Sequence, residues 1–197
     1  SPPSPPSPPS PPSPPPSPPS PPSLPPPPRR EIFDFDSATH PPGWTNGGDN
    51  PPFAFQHASG STPSSSTGPS SGAGGSGFYF YAETSSPRLK GDLYTLSYDG
   101  SFCTARAMLC STVEFQYHMY GATMGTLSLI DEAGSTAWSR SGDQGNAWKQ
   151  AMVAVFSPSF RFEYQRGTDY TGDAAIDQVV VSCSMPPPSP PSPPSSP

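Results

Sequence analysis

Both ends of the chain are written in one repeat. Residues 1–28 run Ser-Pro-Pro in tandem and close on Leu24 and Pro25–Pro28, and residues 186–197 take up the same text. Proline fixes φ near −65° and has no N–H, so such tracts enter neither a helix nor a sheet interior. They adopt polyproline II, with about three residues per turn, and at about 3.1 Å per residue the first tract reaches roughly 80–90 Å. A three-residue repeat on a three-residue turn aligns Ser1, Ser4, Ser7, Ser10 and Ser13 along one edge, until the extra Pro16 rotates the stripe. A stiff rod with a row of hydroxyls reads as an O-glycosylated stalk. Three segments are therefore expected: a stalk over 1–28, a folded module over 29–185, and the start of a second stalk over 186–197.

The stalks carry no charge, so the chain's net −6 belongs to the module. At roughly 155 residues the module is long enough to bury one core. An acidic chain whose longest basic run is Arg29-Arg30 has no electrostatic footprint for nucleic acid. No apolar run approaches the roughly 20 residues that span a bilayer. The absence of an initiating Met and of a signal peptide reads as a fragment or a mature segment. Cys103, Cys110 and Cys183 include no Cys-x-x-Cys, and His40, His57 and His118 are scattered, so spacing argues against zinc. Asn46, Asn50 and Asn146 are followed by the wrong residues for N-glycosylation.

Within the module the hydrophobic period is two. Phe33 and Phe35 share a face, as do Phe53 and Phe55. Gly77–Tyr81 reads as a strand from its aromatic content, and Leu93–Tyr98 as another. Over Thr112–Tyr120, Val113, Phe115, Tyr117 and Met119 point inward, and Glu114, Gln116, His118 and Tyr120 point outward. Thr126–Ile130, Trp148–Phe156, Phe160–Arg166 and Ala174–Val181 follow, and Ser59–Gly77 is a long Ser/Gly/Pro loop. No window has a helical period. Short strands between turns predict an all-β fold, an antiparallel jelly-roll β-sandwich.

The run Val113-Glu-Phe-Gln-Tyr-His-Met-Tyr-Gly121, with Gly125–Leu129, Trp138–Trp148, Phe160–Tyr164 and Gly172–Asp177, resembles the MAM domain, an extracellular module named after meprin, A5 antigen and receptor phosphatase mu. Phe33–Asp36, Gly43-Trp44, Thr67–Ser70 and Gly77–Tyr81 fit the first half of that pattern. Pro42 stands where the family has a cysteine before Gly-Trp, which removes a small disulfide loop. The resemblance implies a Cys110–Cys183 bridge with Cys103 spare; Cys103–Cys110 with Cys183 free is the alternative. It also implies a cation, calcium being the candidate, at Asp36 and Asp177. Two further acids of that pattern are missing, since Gly72 and Gln178 stand in their places. No other cofactor is implied. The stalks resemble the hydroxyproline-rich, extensin-like glycoproteins of plant and green-algal walls.

Other candidates are weighed against simpler roles. Trp44, Trp138, Trp148, Tyr120 and Tyr170 are the residues able to stack on sugar rings, although packing explains each as well. His118 reads as a surface residue. Glu114, Asp131, Glu132 and Glu163 are the carboxylates available for a glycosidase pair, which needs two acids about 5–9 Å apart across a sugar. No local motif assembles them, and no Ser/His/Asp set is supported. The Gly72–Gly77 run lacks the lysine and helix of a phosphate loop. The expected function is non-catalytic: extracellular adhesion or matrix assembly, at a cell surface or in a wall, through a protein partner that includes a second copy. The alternative is a carbohydrate-binding module that holds wall polysaccharide.

Overall fold

The computed structural model describes residues 29–37 and 41–186. The stalks, apart from Pro186, and His40 lie outside the described residues. The alternating segments become strands, arranged as two six-stranded sheets face to face. The order along the chain is β1 (Arg29–Phe33), β2 (Trp44–Asn46), β3 (Phe53–Ala54), β4 (Gln56–Ser59), β5 (Phe78–Tyr81), β6 (Leu93–Tyr98), α1 (Ser101–Thr104), β7 (Leu109–Met119), β8 (Thr126–Asp131), β9 (Thr136–Ser141), β10 (Lys149–Ser157), β11 (Phe160–Gln165) and β12 (Ala174–Ser184). The first sheet runs β10-β7-β12-β5-β4, with β1 also on β12; the second runs β2-β6-β11-β8-β9, with β3 on β6. All pairings are antiparallel except the two-residue β3–β6 contact. The fold is the expected antiparallel jelly-roll β-sandwich.

The core between the sheets is aromatic. Phe115 of β7 meets Phe162 of β11 edge-on at 4.9 Å, and Trp44 lies within 5.2–6.3 Å of Tyr98, Phe33, Phe35, Phe160 and Phe162. Such edge and offset contacts add to the area that the rings bury. Strands β2, β4 and β9 escape a period-two reading because they are short and lie at sheet edges, where little of either face is buried. The helical turn α1 is a single turn between β6 and β7. It starts from Gly100 at φ +67°, where a Cβ would meet Pro158 O at 1.7 Å, so only glycine fits.

Strand β12 holds the decisive irregularity. Asp177 pairs with Gln116 and Val180 with Glu114, so two residues of β12 oppose one of β7, and Gln178 takes φ +47°. Before this bulge Ala174 and Ile176 face the core; after it Val179, Val181 and Cys183 do. Without the extra residue the second half of β12 would turn its apolar side to solvent. The ends of the module are neighbours, since Arg29 pairs with Cys183. Arg29 and Cys183 therefore lie side by side at one pole.

Candidate functional site

The outer face of the β10-β7-β12 sheet divides into two halves. Over the half away from the chain ends, the 60–77 loop forms a roof. Its contacts bury Tyr79, Tyr81 and His118 at 0%, 1% and 2% exposure. Tyr79 donates its hydroxyl hydrogen to Gly60 O (2.7 Å), and the Trp148 indole N–H donates to Ser71 O (2.9 Å). His118 is thus not the surface residue its alternating position implied: Trp148 packs edge-on to its ring at 5.6 Å and Asn146 lies on its Nε2 at 3.1 Å. Period two identifies the outer face but not what covers it.

Two buried acids anchor the roof. The bulge aims Asp177 at it. Oδ2 accepts from Ala73 N (2.8 Å), Oδ1 accepts from Gln178 N (2.7 Å), and Gln178 Nε2 donates to Ala73 O (2.9 Å). Asp36 Oδ1 accepts from Phe78 N at the other end of the roof (2.7 Å). A Cβ at Gly77, φ +84°, would fall 2.1 Å from that oxygen, so the glycine makes room for the carboxylate. Asp173 Oδ1 accepts from Thr84 N and Oγ1 (3.0 and 2.8 Å), and its N–H donates to Thr67 Oγ1 (2.8 Å). Burial pushes both Asp173 and Asp177 up to about 6; for Asp177 the charges of Asp36 and Asp34 add to it.

Asp36 and Asp177 therefore come to the same loop, yet the surroundings do not fit the cation that their resemblance implies. Hard cations take six or more oxygen ligands, usually with several carboxylates. Here Gln178 presents an N–H donor to Ala73 O, and backbone N–H groups bond both oxygens of Asp177. Among the described residues no group of three or more His, Cys, Asp or Glu side chains is placed to hold a metal.

The disulfide differs from the expected Cys110–Cys183 bridge. Cys103 bonds Cys183, with Cα atoms 5.4 Å apart, and Cys110 is the unpaired thiol. Cys110 does lie opposite Cys183 in the β7–β12 ladder. The turn α1, which has no period-two signature, folds Cys103 back over the end of that pair, and Cys183 bonds across to it. All three sulfurs meet, with Cys110 Sγ 3.7 Å from Cys103 Sγ. Burial raises the Cys110 thiol to about 12, so it stays protonated and unreactive.

The remaining candidates separate. Trp44 is core; Trp138 packs on Phe115 and Tyr117 at 5.1 and 5.0 Å; Trp148 belongs to the roof. Tyr120 lines a cleft in the roof, and Tyr170 is 43% exposed. The four carboxylates form no facing pair. Glu114 is on one sheet, bonded to Arg30 Nη2 at 2.8 Å, and Glu163 is on the other, bonded to Arg161 Nε at 3.3 Å. Asp131 and Glu132 line a separate pocket of about 240 Å³ beside Asp99 and Arg161.

The second half of the outer face, next to the chain ends, is bare and apolar. Register aligns Met152 (β10), Glu114 (β7), Val180 (β12) and Ile32 (β1) in one row across four strands. Ile32 is 70% and Met152 67% exposed, and Phe156 further along β10 is 55% exposed. Nothing in the alternation singles out this row, because Ile32 lies in a charged stretch and the β12 bulge brings Val180 outward.

A profile of the MAM domain, meprin/A5/mu, matches residues 33–184. The MAM domain-containing glycosylphosphatidylinositol anchor protein 1 of Gallus gallus is 39% identical over 126 residues, which are 58% of this chain and 13% of that protein. The MAM and fibronectin type III domain-containing protein 1 of Acropora millepora is 46% identical over 67 residues, 34% of this chain and 16% of that protein. Among solved structures, the K2 cleaved adhesin domain of Lys-gingipain superposes with a TM-score of 0.53 at 11% identity, covering 78% of this chain and 99% of that domain, a likeness of fold alone. With the profile spanning both sheets from Phe33 to Ser184, the chain belongs to the MAM domain family.

Proposed function

We propose that the chain is a non-catalytic adhesion module that works outside the cell by binding a second copy of itself through the bare half of the sheet. The observation that carries this reading is the row Met152–Glu114–Val180–Ile32, in which Met152 and Ile32 are exposed. Exposed apolar surface of this kind, rimmed by polar residues, marks interaction sites. The charge favours a second copy. The chain carries net −6, whereas this face, among the described residues, holds one cation, Arg30, paired with one anion, Glu114. Two like-charged copies repel least where the contact is neutral. MAM domains are extracellular adhesion-type modules, and the relatives named above include glycosylphosphatidylinositol-anchored proteins, which supports a cell-surface setting. Among the described residues no helix is long and apolar enough to cross a membrane.

The wall setting and the role in matrix assembly rest on the Ser-Pro-Pro stalks, whose hydroxyls are suited to O-glycans. The reading includes no resident cation, because the Gln178 amide closes the Asp177 clip. A carbohydrate-binding role is favoured by one separate feature, the hydroxyl-lined cleft in the roof.

Sedimentation velocity over a concentration series, with calcium and with chelator, tests this reading. The expected result is a reversible dimer, unaffected by calcium, that Met152→Glu or Ile32→Glu converts to monomer without a change in melting temperature. A monomer at every concentration overturns self-association, and a calcium-dependent rise in melting temperature overturns the cation-free clip.

A further inference from the structure

The roof is also a container. Its 61–70 segment, with Tyr120 and Asn146, lines a cleft of about 440 Å³. Small-ligand sites fall in the range of about 300–1,000 Å³. The lining is mainly hydroxyl: five serines (61, 64, 65, 66 and 70) and two threonines, with two prolines, the ring of Tyr120 and the amide of Asn146, and no charged side chain. Ser65, Ser66 and Ser70 have hydroxyls with no hydrogen bond to the described protein and are exposed.

The cleft is held from beneath. Thr62 and Thr67, 6% and 5% exposed, turn their hydroxyls inward. Thr62 Oγ1 donates to Thr67 O (3.0 Å), and Thr67 Oγ1 donates to Tyr120 O (3.0 Å) while accepting from Asp173 N (2.8 Å). Gly68 N donates to Tyr120 O as well (3.2 Å). His118 sets the amide. Its Nε2–H donates to Asn146 Oδ1 (3.1 Å), an oxygen that can only accept, and burial keeps the imidazole neutral by lowering its pKa. The Asn146 NH2 is left without a protein partner among the described residues. A buried histidine thus fixes an exposed amide with its donors unspent, which a loop needing only to close would not require.

We propose that this cleft binds a neutral saccharide, with a sugar ring against Tyr120 and its hydroxyls on Asn146 and the free serines. A phosphate, sulfate or carboxylate ligand would find no counter-charge. An apolar ligand would displace water from the hydroxyls and the Asn146 amide and give them no partner in return. A proline-rich peptide docks on grooves lined by several aromatics, and this cleft has one. A sugar offers both an apolar C–H face for the ring and hydroxyls for the amide. The cleft lies on the roofed half, away from Arg29 and Cys183, and this proposal stands apart from self-association on the bare half.

The test is calorimetric titration of the full chain with neutral glucan, mannan and arabinan hexasaccharides, a sulfated oligosaccharide and a Ser-Pro-Pro peptide. At least one neutral saccharide is expected to bind, and Tyr120→Ala and Asn146→Ala each to weaken it by about tenfold or more, the cost of a lost stacking or hydrogen-bonding partner. Met152→Glu, on the bare half, leaves binding unchanged even where it abolishes dimers. If Tyr120→Ala does not fold, the exposed Asn146→Ala decides alone. Binding of none of the neutral saccharides, binding that survives both substitutions, or binding of the peptide or the sulfated sugar alone overturns the proposal.

Discussion

The two halves of one sheet face have opposite fates. In the roofed half, Tyr79, Tyr81 and His118 point outward from their strands and are still buried, because the 60–77 loop and Trp148 close over them. In the bare half, Ile32 and Met152 point outward and stay in solvent. The roofed half is held by hydrogen bonds to two carboxyl groups that burial raises to about 6. The bare half is held at its end by the Cys103–Cys183 bond. One half is thus stabilised by groups that respond to protons and the other by a bond that responds to reductant.

The largest effect follows from cutting the staple. The bridge spans a sequence separation of 80 residues, and the chain-entropy model assigns a loop of that size about 4–5 kcal/mol. Reduction, or Cys183→Ala, is expected to lower the melting temperature by many degrees, with amide exchange rising first in β1 and the end of β12. Cys110→Ser should leave the bridge intact, and loss of the disulfide in that variant, seen by peptide mapping, would show that Cys110 belongs to the bridge after all.

The next effect separates the halves by pH. Asp173 and Asp177 have folded pKa values of about 6, above the unfolded carboxylate range, so between about pH 4 and 6 the folded state holds more protons than the unfolded one. Stability from these groups is therefore greatest below that window and falls as pH rises through it. Together the two carboxyls account for a decline of a few kcal/mol, less than two full shifts would give because nearby solvent screens both groups. Denaturant melts at pH 4.5 and 7 should show the decline, and Asp177→Asn should flatten its share. Stability that instead rises from pH 4 to 6 would mean that the two carboxyls are not buried as described. Exchange in the bare half should not follow this titration.

The smallest effect probes the roof alone. Tyr79→Phe removes the bond to Gly60 O and should cost about 1 kcal/mol. It should loosen exchange over 60–77 while the bare half keeps its protection. Equal loosening of both halves would erase the distinction between them.

Much of the core was legible in the sequence. Val113, Phe115, Tyr117 and Met119 alternate on β7, and all four are buried, because a strand's period of two is local geometry that needs no partner to be read. The convergence of Asp36 and Asp177 on one loop was legible through family resemblance, although the hydrogen bond from Gln178 N to Asp177 was not. The cleft was not legible at all. Ser61–Ser70 reads as linker composition, and its serines become a wall only when Thr62 and Thr67 tie the loop to Tyr120 and Asp173. The free amide of Asn146, in the loop before β10, depends on His118, 28 residues away on β7.

The sequence by itself determined that this chain is a β-sandwich of the MAM type, since alternation and turn placement act over a few residues and the order of the motifs is a linear property. Tertiary structure alone decided three things. It chose Cys103 as the partner of Cys183, by folding α1 over the end of the β7–β12 pair. It turned Val179, Val181 and Cys183 inward, through a one-residue bulge. It covered one half of a sheet face and left the other open. Each depends on groups far apart in the chain meeting at a few ångströms, and a pattern read along the chain holds no information about which remote loop will cover which face.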